Sequence, residues 1–210
     1  MIRKTVLWLA TLCILLPALA LAEPGEAVQM VKEVTNEVLS ILREDKDIRS
    51  GNSERAASVI ETKVAPHFDF PRMTQLAVGQ AWQKATPQQR DALVKEFRTL
   101  LVRTYANSMT NYRDQRVIFK QASASNNDGE VTVHSQVVQP GSQPVPVDYS
   151  LTQAAGQWKV FDVAISNISL VTNYRNSFTE AVNRGGIDGL IQSLRDKNRR
   201  LEGNSTPASS

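Results

Sequence analysis

The residues best equipped for chemistry are few. Two histidines, His67 and His134, and one cysteine, Cys13, stand in a chain of 210 residues, with no His-x-x-x-His or Cys-x-x-Cys spacing to gather a metal. His134 falls in the polar register of the alternating Val131 and Val133, where a surface side chain is expected. A Ser/His/Asp hydrolase is conceivable from Ser169, His67 and Asp162, but no serine sits in a Gly-x-Ser-x-Gly elbow. Asp162, flanked by Val160, Phe161 and Val163, reads more simply as an acid bonded to a neighbouring strand or helix. No glycine-rich phosphate loop is present, and two short glycosylation sequons (Asn167-Ile168-Ser169 and Asn204-Ser205-Thr206) carry little information. The sequence offers no catalytic constellation, metal ligand set or cofactor motif.

The elements that would position any site begin after a leader. Arg3 and Lys4, an apolar stretch over residues 6–16 and Ala20-Leu21-Ala22 form a cleavable signal peptide pattern over residues 1–22. Export follows as an expectation, and no later stretch approaches the ~20 apolar residues of a membrane span. Cleavage would remove Cys13, leaving no thiol or disulfide. It would also take Lys+Arg from 24 to 22 against 21 Asp+Glu, a formal charge of +1. A nucleic-acid partner is not expected from so neutral a chain. The cluster Arg195, Lys197, Arg199, Arg200 reads as a solvated helix end, where cations suit the dipole.

Residues 23–202 fit one domain, and the small polar residues 203–210 read as a disordered tail. Val28, Val31, Val34, Val38 and Ile41/Leu42 lie on one face of a first helix. Residues 45–52 interrupt it, Ser53 is placed to cap a second helix through Val64, and Pro66 closes that helix. An aromatic turn, His67-Phe68-Asp69-Phe70-Pro71, leads to a short apolar piece ending near Gly79. Thr86-Pro87-Gln88-Gln89 has capping-box spacing and opens a long helix striped by Leu93, Phe97, Leu100/Leu101, Tyr105, Met109 and Tyr112.

Residues 117–119, 131–138, 145–151 and 158–165 are β-branched or aromatic runs, with a tight Asp128-Gly129 hairpin after the first and a stiffer connection through Pro140 and Pro146. Helical spacing returns at Leu170/Val171, Tyr174, Phe178 and Ala181/Val182, stops at Gly185-Gly186, and resumes after Asp188. The pattern predicts an α+β domain: a curved antiparallel sheet of about four strands with helices packed on one face. The cone so formed is filled by its own side chains, or by those together with a ligand.

The order of motifs resembles the MlaC family of periplasmic phospholipid-binding proteins, also called toluene-tolerance proteins. The residues that carry the resemblance are Phe68-Asp69-Phe70 with Met73, Gly79 and Trp82; Gln88-Gln89-Arg90 with Phe97 and Tyr105; Tyr149; and Trp158-Lys159-Val160-Phe161-Asp162-Val163. The end matches best, through Ile168-Ser169-Leu170-Val171, Asn173-Tyr174-Arg175, Phe178, Gly186, Asp188-Gly189-Leu190-Ile191 and Leu194. The similarity runs from about Val28 to Lys197. One departure is Ser166-Asn167-Ile168, where the family usually carries an acidic residue and glycine; it leaves the geometry of that turn open.

The resemblance implies an apolar cavity inside the fold and a periplasmic shuttle holding a glycerophospholipid as cargo, with acyl chains inside and the head group at the mouth. It implies two docking partners: an outer-membrane lipoprotein-porin complex and an inner-membrane ABC transporter with its substrate-binding subunit. It implies no enzyme activity and no cofactor beyond the cargo. Val78, Trp82, Leu101, Tyr105, Tyr149, Leu151, Phe161, Val163, Ile165, Leu170 and Phe178 are the expected lipid-binding residues, and Arg175 the candidate for head-group or partner contact. The competing reading is a periplasmic protein-binding scaffold with a filled core.

Overall fold

Asp45 stops the first helix and begins the next turn. Its side chain accepts from the backbone N–H groups of Asp47 and Ile48, so α1 (Pro24–Glu44) gives way to a short α2 (Lys46–Arg49) that buries Ile48. The computed structural model describes residues 24–124 and 129–203. The leader, most of the Asp128-Gly129 hairpin turn and residues 204–210 of the expected tail lie outside the described residues.

Asn52, rather than Ser53, caps α3 (Ser53–Val59): its side-chain oxygen accepts from Arg55 N–H, while Ser53 is buried inside the first turn. The expected single helix through Val64 changes winding. Ile60–Val64 is a π turn and Ala65–His67 a 3-10 turn, Pro66 having no N–H to continue the ladder. Asp69 then caps α4 (Phe70–Val78) through Arg72 N–H, and Gly79, at φ 66°, ends it before the 3-10 turn Gly79–Lys84. The Thr86/Gln89 capping box starts α5 (Pro87–Thr110) as its spacing predicts.

Six antiparallel strands form one sheet: β1 (Arg116–Phe119), β2 (Ser123–Ala124), β3 (Glu130–Val138), β4 (Val145–Ala154), β5 (Gln157–Ile165) and β6 (Ile168–Ser169). The order is β1-β3-β4-β5-β6, with β2 also on β3. The sheet and helices make the α+β architecture expected, with four long or medium strands and two very short ones. Between β5 and β6, Ser166 (φ 51°) and Asn167 (φ 65°) both take the left-handed region, a two-residue hairpin turn that needs neither the acid nor the glycine of the family pattern. Finally, α6 (Leu170–Gly203) is broken where Gly186 adopts φ 66° and ψ −166°. Only glycine takes that conformation without strain, so the break falls where the glycine pair predicts it.

Three apolar clusters result. Ala27 and Val31 of α1 cover Val131, Leu151, Trp158 and Val160 at one half of the sheet. Phe97, Phe178, Met73 and Leu190 join α4, α5 and α6. Val38, Leu42, Ile48, Val59 and Val102 join α1, α2, α3 and α5 at the far end.

Candidate functional site

Where the three clusters meet they do not fill the space between them. A cavity of about 420 Å³ remains there, in the range of roughly 300–1,000 Å³ typical of small-molecule sites. The sheet contributes Val137, Val147, Tyr149, Val163 and Ile165; α5 contributes Leu101, Val102, Tyr105 and Met109. Ile60 and Val64 of the π turn, Ala65, Phe68, Phe70, Met73 and Leu170 complete the wall. A second recess of about 200 Å³ runs under α1 and shares Val64, Phe68, Met109 and Tyr149 with the first. Apart from tyrosine hydroxyls, every side chain around the larger cavity is apolar, so it suits hydrocarbon and no charged group.

A β-bulge explains how β5 supplies this wall. Ser150 pairs with Asp162 but Leu151 pairs with Val160, leaving Phe161 as the extra residue. Val160 and Val163, three apart, therefore share the inner face. Phe161 is displaced toward α4, where the Arg72 guanidinium lies 3.8 Å from its ring centre. Arg72 is also paired with Glu130. Phe68 bridges to Val160, and Asp69 N–H donates to Val160 C=O, fixing the aromatic turn against the same strand.

The tyrosines are held neutral. Burial is the main cause that pushes the Tyr105 phenol up to about 12, with Tyr174 adding to it. Burial likewise raises Tyr149, with side-chain hydrogen bonding to Ser135 and Thr35 offsetting part of the rise. The hydroxyl proton of buried Ser135 goes to Val147 C=O at 2.9 Å.

Of the expected lipid-binding residues, Leu101, Tyr105, Tyr149, Val163, Ile165 and Leu170 come together on this wall. Five stand elsewhere. Val78 and Phe178 are packed in the helical cluster, Phe178 edge-on to Phe97 at 5.1 Å. Leu151 is sealed beneath α1, and Phe161 is turned away by the bulge. Trp82 borders a separate outer recess of about 530 Å³ with Arg90, Lys95 and Arg98, and Arg90 donates to its carbonyl. Arg175 donates twice, at 3.0 and 2.9 Å, to Leu76 C=O near the end of α4, tying α6 to α4 away from the cavity. The sequence reading missed the π turn, Ala65, Phe68, Phe70, Met73, Val102, Met109, Val137 and Val147 as wall residues. Their apolar character was visible, but not the side on which the packing stops short.

The candidate chemistry rearranges too. Ser169 Oγ donates to Asp162, whose other oxygen accepts from Val171 N–H at 3.1 Å, so this acid ties β5 to the start of α6. His67 takes no part in that pair; burial and Lys159 lower its pKa, with Glu37 opposing them. A different Ser-His-Asp chain does form. Ser123 Oγ and Asp148 Oδ1 each lie 2.9 Å from a ring nitrogen of His134 on the solvent face of the sheet. None of the three lines any recess described above. No group of three or more metal-ligating side chains gathers among the described residues, and no described helix is long and apolar enough to cross a membrane.

Relatives place this architecture. The chain is 27% identical over 161 residues to toluene tolerance protein ttg2D of Pseudomonas putida, covering 76% of this chain and 74% of that one. It is 19% identical over 193 residues to the intermembrane phospholipid transport system binding protein MlaC of Haemophilus influenzae, covering 90% of each. The solved structure of a phospholipid-binding protein from Ralstonia solanacearum, in complex with a phospholipid, superimposes with a TM-score of 0.77 at 37% identity. That match spans 84% of this chain and 98% of the other. The sequence profile of the MlaC protein family matches residues 32–196, and on that match the chain belongs to the MlaC family.

Proposed function

We propose that this protein is a periplasmic carrier that takes the acyl chains of a glycerophospholipid into the cavity and moves the lipid between outer and inner membranes, so maintaining the lipid asymmetry of the outer membrane. The observation that carries the reading is the apolar cavity at the junction of the three clusters. The relative with a phospholipid bound shares the fold at 37% identity, which supports the choice of cargo. Each methylene kept from water is worth about 0.8 kcal/mol, so a lipid cannot cross an aqueous space bare. Exchange between bilayer and apolar cavity is near neutral, which suits a carrier that must both load and unload.

No reaction is proposed. The Mla name borne by the Haemophilus influenzae relative supports two docking partners, an outer-membrane lipoprotein-porin complex and an inner-membrane ABC transporter with its substrate-binding subunit. The leader pattern over residues 1–22 supports export. Mass spectrometry of an organic extract of the folded mature protein, with phosphate analysis, tests the reading. About one phospholipid per chain is expected by analogy with a site filled once. A monodisperse protein that holds none and takes none from vesicles would be a filled scaffold instead.

A further inference from the structure

The end of the molecule beyond the cavity carries a recess of about 400 Å³ bordered by Arg43, Arg49, Tyr112, Arg113 and Asp114. Among the described residues none of these three arginines has a carboxylate within ion-pair distance, whereas Arg55, Arg72, Arg98, Arg103, Arg184, Arg195 and Arg199 all do. Each is nevertheless oriented. Arg43 Nε donates to Tyr112 OH at 3.1 Å, Tyr112 OH donates to Gln115 C=O, and Arg113 Nη1 donates to Tyr112 C=O at 2.7 Å. Arg49 Nη1 reaches Arg43 C=O at 3.5 Å. Every guanidinium therefore keeps unused N–H groups.

The carbonyl ends of α1 and α5 lie here, and each contributes about half a negative charge. With Asp114 they offset part of three full positive charges, and the recess stays cationic. Its position matters as much as its sign. On α5, Tyr105 and Met109 line the cavity, and Tyr112 stands two residues past the end of that helix; on α1, Val38 and Leu39 line the smaller recess and Arg43 follows one turn later. One turn advances about 5.4 Å. The arginine recess thus follows the cavity along α5 and the smaller recess along α1.

We propose that Arg43, Arg49 and Arg113 form a phosphate-binding site that holds the head-group phosphate of the lipid whose chains occupy the cavity. The inference rests on the carrier reading. Guanidinium suits this ligand because its planar fork meets two phosphate oxygens at once. Both Arg49 and Arg113 are exposed, so replacing them with glutamine removes charge without opening the core.

Calorimetry on the delipidated mature protein tests it with three probes: dihexanoyl phosphatidylglycerol, dihexanoylglycerol and inorganic phosphate. In the Arg49→Gln/Arg113→Gln variant, affinity for the phospholipid should fall about tenfold and affinity for the diacylglycerol should stay the same. Inorganic phosphate should compete with the phospholipid but not with the diacylglycerol. An Arg184→Gln variant controls for general loss of charge, and circular dichroism for folding. Unchanged phospholipid affinity in the double variant would overturn the site and leave the carrier reading intact. Phosphate that binds at the arginines without competing with phospholipid would mark a free-phosphate site and overturn the head-group assignment. A wild-type protein that binds neither lipid would remove the carrier reading, and this inference with it.

Discussion

Tyr149 on β4 and Val163 on β5 are directly opposed in the sheet, and both side chains face the cavity. Opposed side chains of this kind sit about 5 Å apart at Cβ. A larger residue at position 163 must therefore enter the cavity. Val163→Phe is expected to lose most co-purified phospholipid while its urea stability stays within about 1 kcal/mol of wild type, because it fills empty space. A filled core would answer differently, with no co-purified lipid to lose and a loss of about 1–3 kcal/mol from overpacking.

The link from Asp162 to Ser169 and Val171 joins β5 to the start of α6. Asp162→Ala leaves a helix N–H and a hydroxyl without their acceptor, and should cost about 2–3 kcal/mol in chemical denaturation. Asp162→Asn retains one acceptor and should cost about half as much. Equal stability in all three proteins would show that the cap contributes nothing.

Ser166 occupies φ 51° in the turn between β5 and β6. A left-handed conformation costs an L-residue about 1 kcal/mol, part of which glycine returns through its freer unfolded chain. Ser166→Gly should raise stability by about 0.5 kcal/mol and Tm by about 1–2 °C. A lower Tm would mean that the serine side chain stabilises the turn.

His67 has its pKa lowered, first by burial and then by Lys159. The unfolded chain then binds a proton more readily than the folded one, so stability is present above 6.5 and declines as pH falls through that value toward the folded pKa. Thermal melts of wild type and His67→Gln, compared between pH 7.5 and 5, should converge in the acid if this group is responsible. Parallel curves would assign the decline to other residues.

Ser123, His134 and Asp148 have the order of a hydrolase triad but lie on an open sheet face. None of the three lines a recess found among the described residues, so the serine should stay unreactive. A fluorophosphonate probe followed by peptide mapping should leave Ser123 unmodified. Labelling that disappears in His134→Ala would reopen the question of catalysis.

Periodicity made much of this fold legible. The Val28 to Leu42 stripe, the Thr86/Gln89 box, the four β-rich runs and the Gly185-Gly186 stop are local signals, because side-chain spacing and backbone freedom are properties of neighbouring residues. Six of the sixteen wall residues were legible for the same reason, since Leu101, Tyr105, Tyr149, Val163, Ile165 and Leu170 lie on faces that had to be apolar.

Residue order along the chain dictates which faces avoid water, where helices start and stop, and, through the family likeness, what kind of fold they build. Which apolar faces meet, and which stop short of one another, is settled by how the elements pack. Leu151 and Leu101 are equally hydrophobic, yet α1 seals the first while the second borders empty space. The bulge that turns Phe161 toward Arg72 depends on register with β4, and the arginine recess depends on two helix ends converging from distant parts of the chain. A cavity is a property of distances between elements, and no spacing along one element contains it.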